Sequence, residues 1–204
     1  MLTFKEYIAE QTDAGSLSIF DIDDTLFHTT AQIAVVKDGK IIKKLTNAEF
    51  NTYKLGPGEE FDFAEFRDAA KFYHESNPIK RMIAKAMAIL KNAQTNPLSK
   101  VIILTARSNF NDKEKFLATF RKHGFDIDKV RVERAGELVK NEVPAVAKAV
   151  VVTKYLNSGQ FRKVRLFDDS MSNLKEFLKL QQKFTDVKFE AYFAKPDGSI
   201  KTVK

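Results

Sequence analysis

Short runs of apolar and β-branched residues recur along the chain, each closed off by polar or turn-forming residues. They are Ser18, Ile19, Phe20 and Ile22, then "KVIILTA" (100–106), "VRVERA" (130–135), "VRLFDD" (164–169) and "VKFEAYFA" (187–194). Runs of this length read as strands, and the continuous ones as strands buried on both faces. Helical patterns lie between them. "PIKRMIAKAMAILKNA" opens at Pro78, suited to a first helical turn, and "NDKEKFLATFRKHG" offers Asn111 as N-cap and Gly124 as stop. "PAVAKAVVVTKYLNSG" runs from Pro144 to Gly159, and "SNLKEFLKLQQKF" begins with Ser172 as its cap. Strands alternating with helices predict an α/β fold, a doubly wound, Rossmann-like parallel sheet.

Residues 28–76 break that rhythm. "IAVVKDGKIIKKL" is two β-prone runs around Asp38-Gly39, the turn signal of a hairpin. A Gly/Pro loop, "KLGPGEEFD", follows, and then "FAEFRDAAKFYHES", a helix with Phe66, Ala69, Ala70 and Tyr73 on one face. The expected organisation is a core of residues 1–27 and 77–204, with a hairpin and small helical insertion at 28–76. The tail "KPDGSIKTVK" predicts a last turn and a frayed end.

Composition narrows the picture. A chain of 204 residues suffices for one sizeable core with a modest insertion. No apolar run approaches the roughly 20 residues of a bilayer span. "MLTFKEYIAE" has neither the basic nor the apolar region of a secretory signal, so a cytoplasmic protein with no membrane partner is expected. The absence of cysteine excludes disulfides, thiolate metal sites and cysteine nucleophiles. A net charge of +7 fits an anionic partner such as nucleic acid or a phosphorylated metabolite, and equally a solvated basic surface, since the lysines are spread along the chain. Oligomeric state is not legible.

The candidate chemistry gathers where strands end. Ligands of doubly wound sheets bind outside the carboxyl ends of the strands. Asp21 and Asp23 close the first strand, Thr105 the second, and Asp168 and Asp169 the fourth, while Lys148 lies early in the helix that leads into that fourth strand. Residues i and i+2 of a strand point the same way, so Asp21 and Asp23 can face one site. A divalent cation, with a phosphate bound to it, would hold these carboxylates together. A calcium loop is excluded, because Gly at the sixth position and Glu at the twelfth are both missing. Lys140 or Lys154 could stand in for Lys148.

The motifs "FDIDDTLF", "VIILTAR", "VAKAVVVTKYL" and "VRLFDDS" resemble those of the haloacid dehalogenase (HAD) superfamily of phosphatases over roughly residues 17–194. Within it, the "TAR" turn, the Arg134-containing "ERAG" and the placement of Lys148 are most similar to the 3′-phosphatase domain of phage polynucleotide kinase. The resemblance implies Asp21 as nucleophile, Asp23 as general acid and base, and Thr105 and Lys148 as phosphate- and charge-stabilising residues. It implies Mg²⁺ held by Asp21, the Asp23 carbonyl, Asp168 and Asp169, with Thr25, Arg107 and Arg134 on the substrate side. The insertion becomes a flap hairpin and small cap. Asp at position 23 separates phosphatases from the superfamily's dehalogenases and transport ATPases. Asp24 stands where the family often has Gly, and is expected to pair with a lysine or cap the turn.

Other residues remain open. Arg107 could reach a phosphate or form a salt bridge at the loop start. Asn173 could orient Asp169 or, more in keeping with its position, cap a helix. His28 could line the entrance to the site but reads more simply as a turn residue, and His123 has no assigned role. Phe61, Phe63, Phe66, Phe72 and Tyr73 could stack a base, though their spacing favours packing. No Gly-rich nucleotide loop with Lys-Ser/Thr is present, so no kinase activity is expected. The expected function is a Mg²⁺-dependent phosphatase acting on a nucleic acid 3′-phosphate or a nucleotide. A small-molecule phosphatase and a non-catalytic phosphate-binding module are the alternatives.

Overall fold

A computed structural model describes residues 15–50, 52–137 and 144–204. The first half contains β1 (Gly15–Phe20), β2 (Phe27–His28), β3 (Ile33–Lys37), β4 (Lys40–Leu45), α1 (Asn47–Phe50), β5 (Glu59–Asp62), α2 (Ala64–Arg67), α3 (Ala69–Glu75), β6 (Asn77–Pro78) and α4 (Lys80–Ala93). The second half contains β7 (Lys100–Thr105), α5 (Lys113–Arg121), β8 (Arg131–Arg134), α6 (Pro144–Leu156), β9 (Phe161–Asp168), α7 (Met171–Lys179), β10 (Lys188–Ala194) and β11 (Ile200–Val203). The amino-terminal stretch in which a signal was sought, and Lys140, lie outside the described residues. Among the described residues no helix is long and apolar enough to cross a membrane.

The central sheet runs in the order β11-β10-β9-β1-β7-β8, parallel throughout except for β11. Strand alternation sends side chains to two layers. Phe20, Val101, Ile103 and Phe167 pack with Met82 and Ile83 of α4 and with Phe116 and Phe120 of α5. Leu17, Ile19, Ile102, Leu104 and Leu166 pack with Val151 and Val152 of α6 and with Leu174 and Phe177 of α7. Helices on both faces are what continuous apolar strands require. From β1 the chain proceeds to β7 on one side, whereas the connection from β8 crosses to β9 on the other. The edge between β1 and β9 is therefore the point where strand order reverses, the usual ligand crevice of such sheets.

The insertion is more ordered than its sequence suggests. Asp38 and Gly39, both at positive φ (50° and 71°), turn β3 into β4 as expected. "EEFD", expected in a loop, forms β5 and pairs antiparallel with β3. The expected single amphipathic helix is broken at Asp68, whose extended backbone and side chain cap α3 through the Lys71 N–H (2.9 Å). Its buried positions are Phe66, Ala69 and Phe72, while Ala70 is exposed and Tyr73 half-buried. Phe66 joins the insertion's own cluster with Ile33, Val35 and Leu45, whereas Ala69 and Phe72 enter the main core.

Other local expectations shift by a residue or two. Pro78 lies in a two-residue bridge with Phe27, ahead of the helix rather than in its first turn. Asp112, not Asn111, caps α5 through the Lys115 N–H, and Asn111 instead accepts from the Ala69 N–H (3.0 Å). Ser170, not Ser172, precedes α7 as its cap residue. The tail is no frayed end: a turn at Asp197-Gly198, with Gly198 at φ +77°, returns β11 along β10.

Phe120 is fully buried and its ring meets Phe27, Phe72, Phe116 and Phe125, so it binds α5 to the insertion's last helix and to the turn after β1. Phe120→Ala is expected to cost about 3–5 kcal/mol, read as a lower urea midpoint at unchanged m.

Candidate functional site

Register places the carboxylates. Parallel pairing of β1 with β9 sets Phe20 opposite Phe167, and the Asp21 N–H donates to the Phe167 carbonyl (3.0 Å). The residues that follow these two phenylalanines, Asp21 and Asp168, therefore leave the sheet side by side. One carboxylate oxygen from each of them and one from Asp169 lie within 4.8 Å of one another.

Lys148 reaches them from α6. It is 4% exposed, and its Nζ donates to Asp21 Oδ1 and Asp168 Oδ2, each at 2.7 Å. Asp168 is held further by Asn173 Nδ2 (2.9 and 3.0 Å to its two oxygens) and by the Ser170 N–H (2.9 Å). Lys154 is exposed at the far end of the same helix and takes no part. Asn173 thus orients Asp168 rather than Asp169 and caps nothing. The signal for it was its spacing, five residues after Asp168 and one turn into a helix.

One lysine does not balance three acids. Burial, opposed by Lys148 and reinforced by Asp168 and Asp23, pushes the Asp21 carboxyl up to about 7. Burial, then the charges of Asp21 and Asp168, push Asp169 up to about 9. Burial also disfavours the charged form of Lys148, but Asp168 and Asp21 override it and hold the ammonium above its ordinary range. Three clustered carboxylates with no nitrogen or sulfur donor among them suit a hard, oxygen-preferring divalent ion, and the cluster could bind a metal.

Asp23 belongs to a second, adjoining unit. Arg107 grips both its oxygens, Nε to Oδ2 at 2.9 Å and Nη2 to Oδ1 at 2.6 Å. The same guanidinium donates to the Phe66 carbonyl (3.1 Å) and to Thr29 Oγ1 (3.1 Å), and stands 4.9 and 4.7 Å from the Phe66 and Phe72 rings. With 3% exposure, Arg107 is an internal clamp on Asp23. Thr105 is buried, and its Oγ1 accepts from the Arg107 N–H (3.1 Å), which leaves its own O–H to donate.

The remaining expected residues sit elsewhere. Thr25 is fully buried, and its hydroxyl has no protein partner. Arg134 is exposed and donates to Asn109 Oδ1. Asp24 adopts φ +56°, a left-handed conformation that favours Gly and that Asp tolerates. Its partners are Asn47 Nδ2 (2.8 Å) and, at 3.7 Å, His28 Nδ1, not a lysine. Thr29, Asn47 and the Phe66 carbonyl carried no signal in sequence, because they reach the site only through the folding of the insertion. A cavity of about 630 Å³ lies at the opposite edge of the sheet beside Val101, Tyr155 and Phe161. No protein-family model matches the chain, and no curated protein matches it in sequence.

Two outcomes are expected. Asp21 and Asp169 bind protons more tightly in the folded, metal-free protein than in the unfolded chain. The contribution of these two groups to stability is therefore fullest below the ordinary carboxylate range and is lost as pH rises towards about 9. Added Mg²⁺ binds the ionised cluster, so the Tm increase it produces should be larger at pH 9 than at pH 5, as thermal melts would read. Lys148→Met should cost about 3–5 kcal/mol by leaving the acids uncompensated, measurable by urea unfolding.

Proposed function

We propose that this chain is a Mg²⁺-dependent phosphatase of the HAD type, hydrolysing a phosphomonoester on a nucleic acid end or nucleotide through an aspartyl phosphate on Asp21. What supports this above all is the juxtaposition of Asp21, Asp168 and Asp169 with the buried Lys148 at the edge where strand order reverses. An acid cluster made only for stability would be a poor design, since an apolar replacement would cost less.

Asp21, Asp168, Asp169 and the Asp23 carbonyl would hold the metal. When bound, the ion supplies the positive charge that lets a carboxylate approach a phosphate of like charge. Lys148 fixes Asp21 through Oδ1, and the other oxygen attacks phosphorus while the bond to the leaving oxygen breaks. Asp23 gives that leaving oxygen a proton. A water oxygen then attacks the same phosphorus, Asp23 takes the water's proton, and the bond to Asp21 breaks to release inorganic phosphate. Thr105 donates its free O–H to a phosphoryl oxygen. Arg107 aims the Asp23 carboxylate, a role that takes up four of its five N–H donors and suits it better than binding phosphate.

The test is phosphate release with Mg²⁺ from a 3′-phosphorylated oligonucleotide, beside nucleoside 3′- and 5′-monophosphates. Asp21→Asn should lower the rate by at least about 10³-fold while leaving the protein folded. Release from the oligonucleotide supports an end-processing enzyme, and release from the mononucleotides alone makes a nucleotide the substrate. Release that survives Asp21→Asn, or none from any substrate, overturns the proposal.

A further inference from the structure

The cavity at the amino ends of the strands takes no part in the proposed hydrolysis, and the sheet topology explains why it is there. β8 is an edge strand and begins at Arg131, opposite Ile102 of β7. Lys100 and Val101 therefore run past it with no strand beside them on that side, and a space of about 630 Å³ opens there. Its apolar lining comes from Ile102 and Phe161 in the sheet and from Leu90 and Ala93 at the end of α4. Strand alternation points Lys100, Ile102, Arg131 and Glu133 to one face, the face that α6 covers. α6 closes that side with Lys154 and Tyr155, whose hydroxyl donates to Glu133 Oε1 (2.7 Å).

Charge around the cavity is one-sided. Lys100, Lys129, Arg131 and Lys154 line it, against a single acid, Glu133. That acid is occupied: Arg131 Nε donates to Oε1 (2.5 Å), the oxygen that also accepts from Tyr155. Lys129 is paired with Asp126 (2.8 Å). Lys100 and Lys154 are exposed, and neither forms an ion pair among the described residues. A space of this size takes a small organic molecule, and two unpaired ammonium groups over an apolar floor fit one with an anionic head and an apolar body. The acids of the candidate catalytic site lie at the other end of α6, where Lys148 reaches them, so an anion is repelled there and attracted here.

We propose that this cavity binds a small amphipathic organic anion, its carboxylate or phosphate held by Lys100 and Lys154 and its apolar body against Ile102, Phe161 and Leu90. The site is separate from the catalytic one, and the proposal does not rest on the phosphatase reading.

The probe is anilinonaphthalene sulfonate, an aromatic body with a fixed negative charge and no ester bond to hydrolyse, titrated by fluorescence into the folded protein in EDTA. It should bind saturably, and more tightly than phenylnaphthylamine, which has the same rings without the charge. The double variant Lys100→Glu, Lys154→Glu should weaken sulfonate binding about tenfold or more and leave phenylnaphthylamine binding unchanged, which shows that the cavity persists. Lys43→Glu, Lys54→Glu on the insertion changes the net charge equally and should leave both probes unaffected. Equal binding of the two probes, equal losses in the two double variants, or no saturable binding would overturn the proposal. Octanoate and AMP then compete for the bound sulfonate. Displacement by octanoate makes an aliphatic acid the natural class, displacement by AMP makes it a nucleotide, and displacement by neither overturns the proposal. None of these readings depends on phosphate release, so the fate of the phosphatase proposal is decided separately.

Discussion

Asp21, Asp168 and Asp169 crowd the end of two adjacent parallel strands, and their mutual repulsion is the constraint around which this edge of the molecule is arranged. Like charges about 4 Å apart repel by about 4 kcal/mol at an effective dielectric near 20. Lys148, driven into the cluster from α6, meets Asp21 and Asp168 at 2.7 Å. Asn173 and the Ser170 N–H steady Asp168 from α7. These are contributions from both helices of one face, so the packing of that layer and the charge state of the site depend on each other. What is left over is a deficit of positive charge, visible in the upward shifts of Asp21 and Asp169. A divalent ion has the charge and the ligand preference to fill it.

The opposite layer aims rather than neutralises. Phe20, Phe167 and Tyr192 stack across three neighbouring strands at 4.5 and 4.8 Å, and this fixes the ends of β1 and β9 at equal height. Beyond them Arg107 joins three parts of the chain, through Asp23 after β1, Thr29 at the start of the insertion and the Phe66 carbonyl in α2. A displacement of the insertion would be felt at Asp23 through one side chain. That gives the insertion a mechanical connection to the site.

Much of this was legible in order along the chain. The strands at 100–105, 131–134 and 188–194 and the helices beginning at 144 and 171 follow from apolar runs and helical spacing, which are local properties. So does the hairpin at Asp38-Gly39, whose turn needs positive φ at both positions. The same Asp-Gly signal at 197–198 marked β11 just as plainly, but "IKTV" is too short to show a period before β10 supplies a partner. β5 was hidden for a related reason: "EEFD" is acid-rich and becomes a strand only because β3 offers its free edge.

Within the site, the sequence alone determined which residues end strands and hence that Asp21, Asp168, Asp169 and Lys148 share one edge. Strand direction and the position of the carboxyl end are set by chain order and periodicity, so that edge could be read before folding was seen. Only the tertiary structure decided who touches whom. It made Arg107 a clamp on Asp23, gave Asn173 to Asp168 and Asn47 to Asp24, and buried the Thr25 hydroxyl without a protein hydrogen-bond partner. Those contacts join residues from 5 to 84 positions apart. Apart from Asn173, whose spacing after Asp168 was a local signal, such partners are chosen by how layers pack and how the insertion lies on them, for which no local pattern carries a signal.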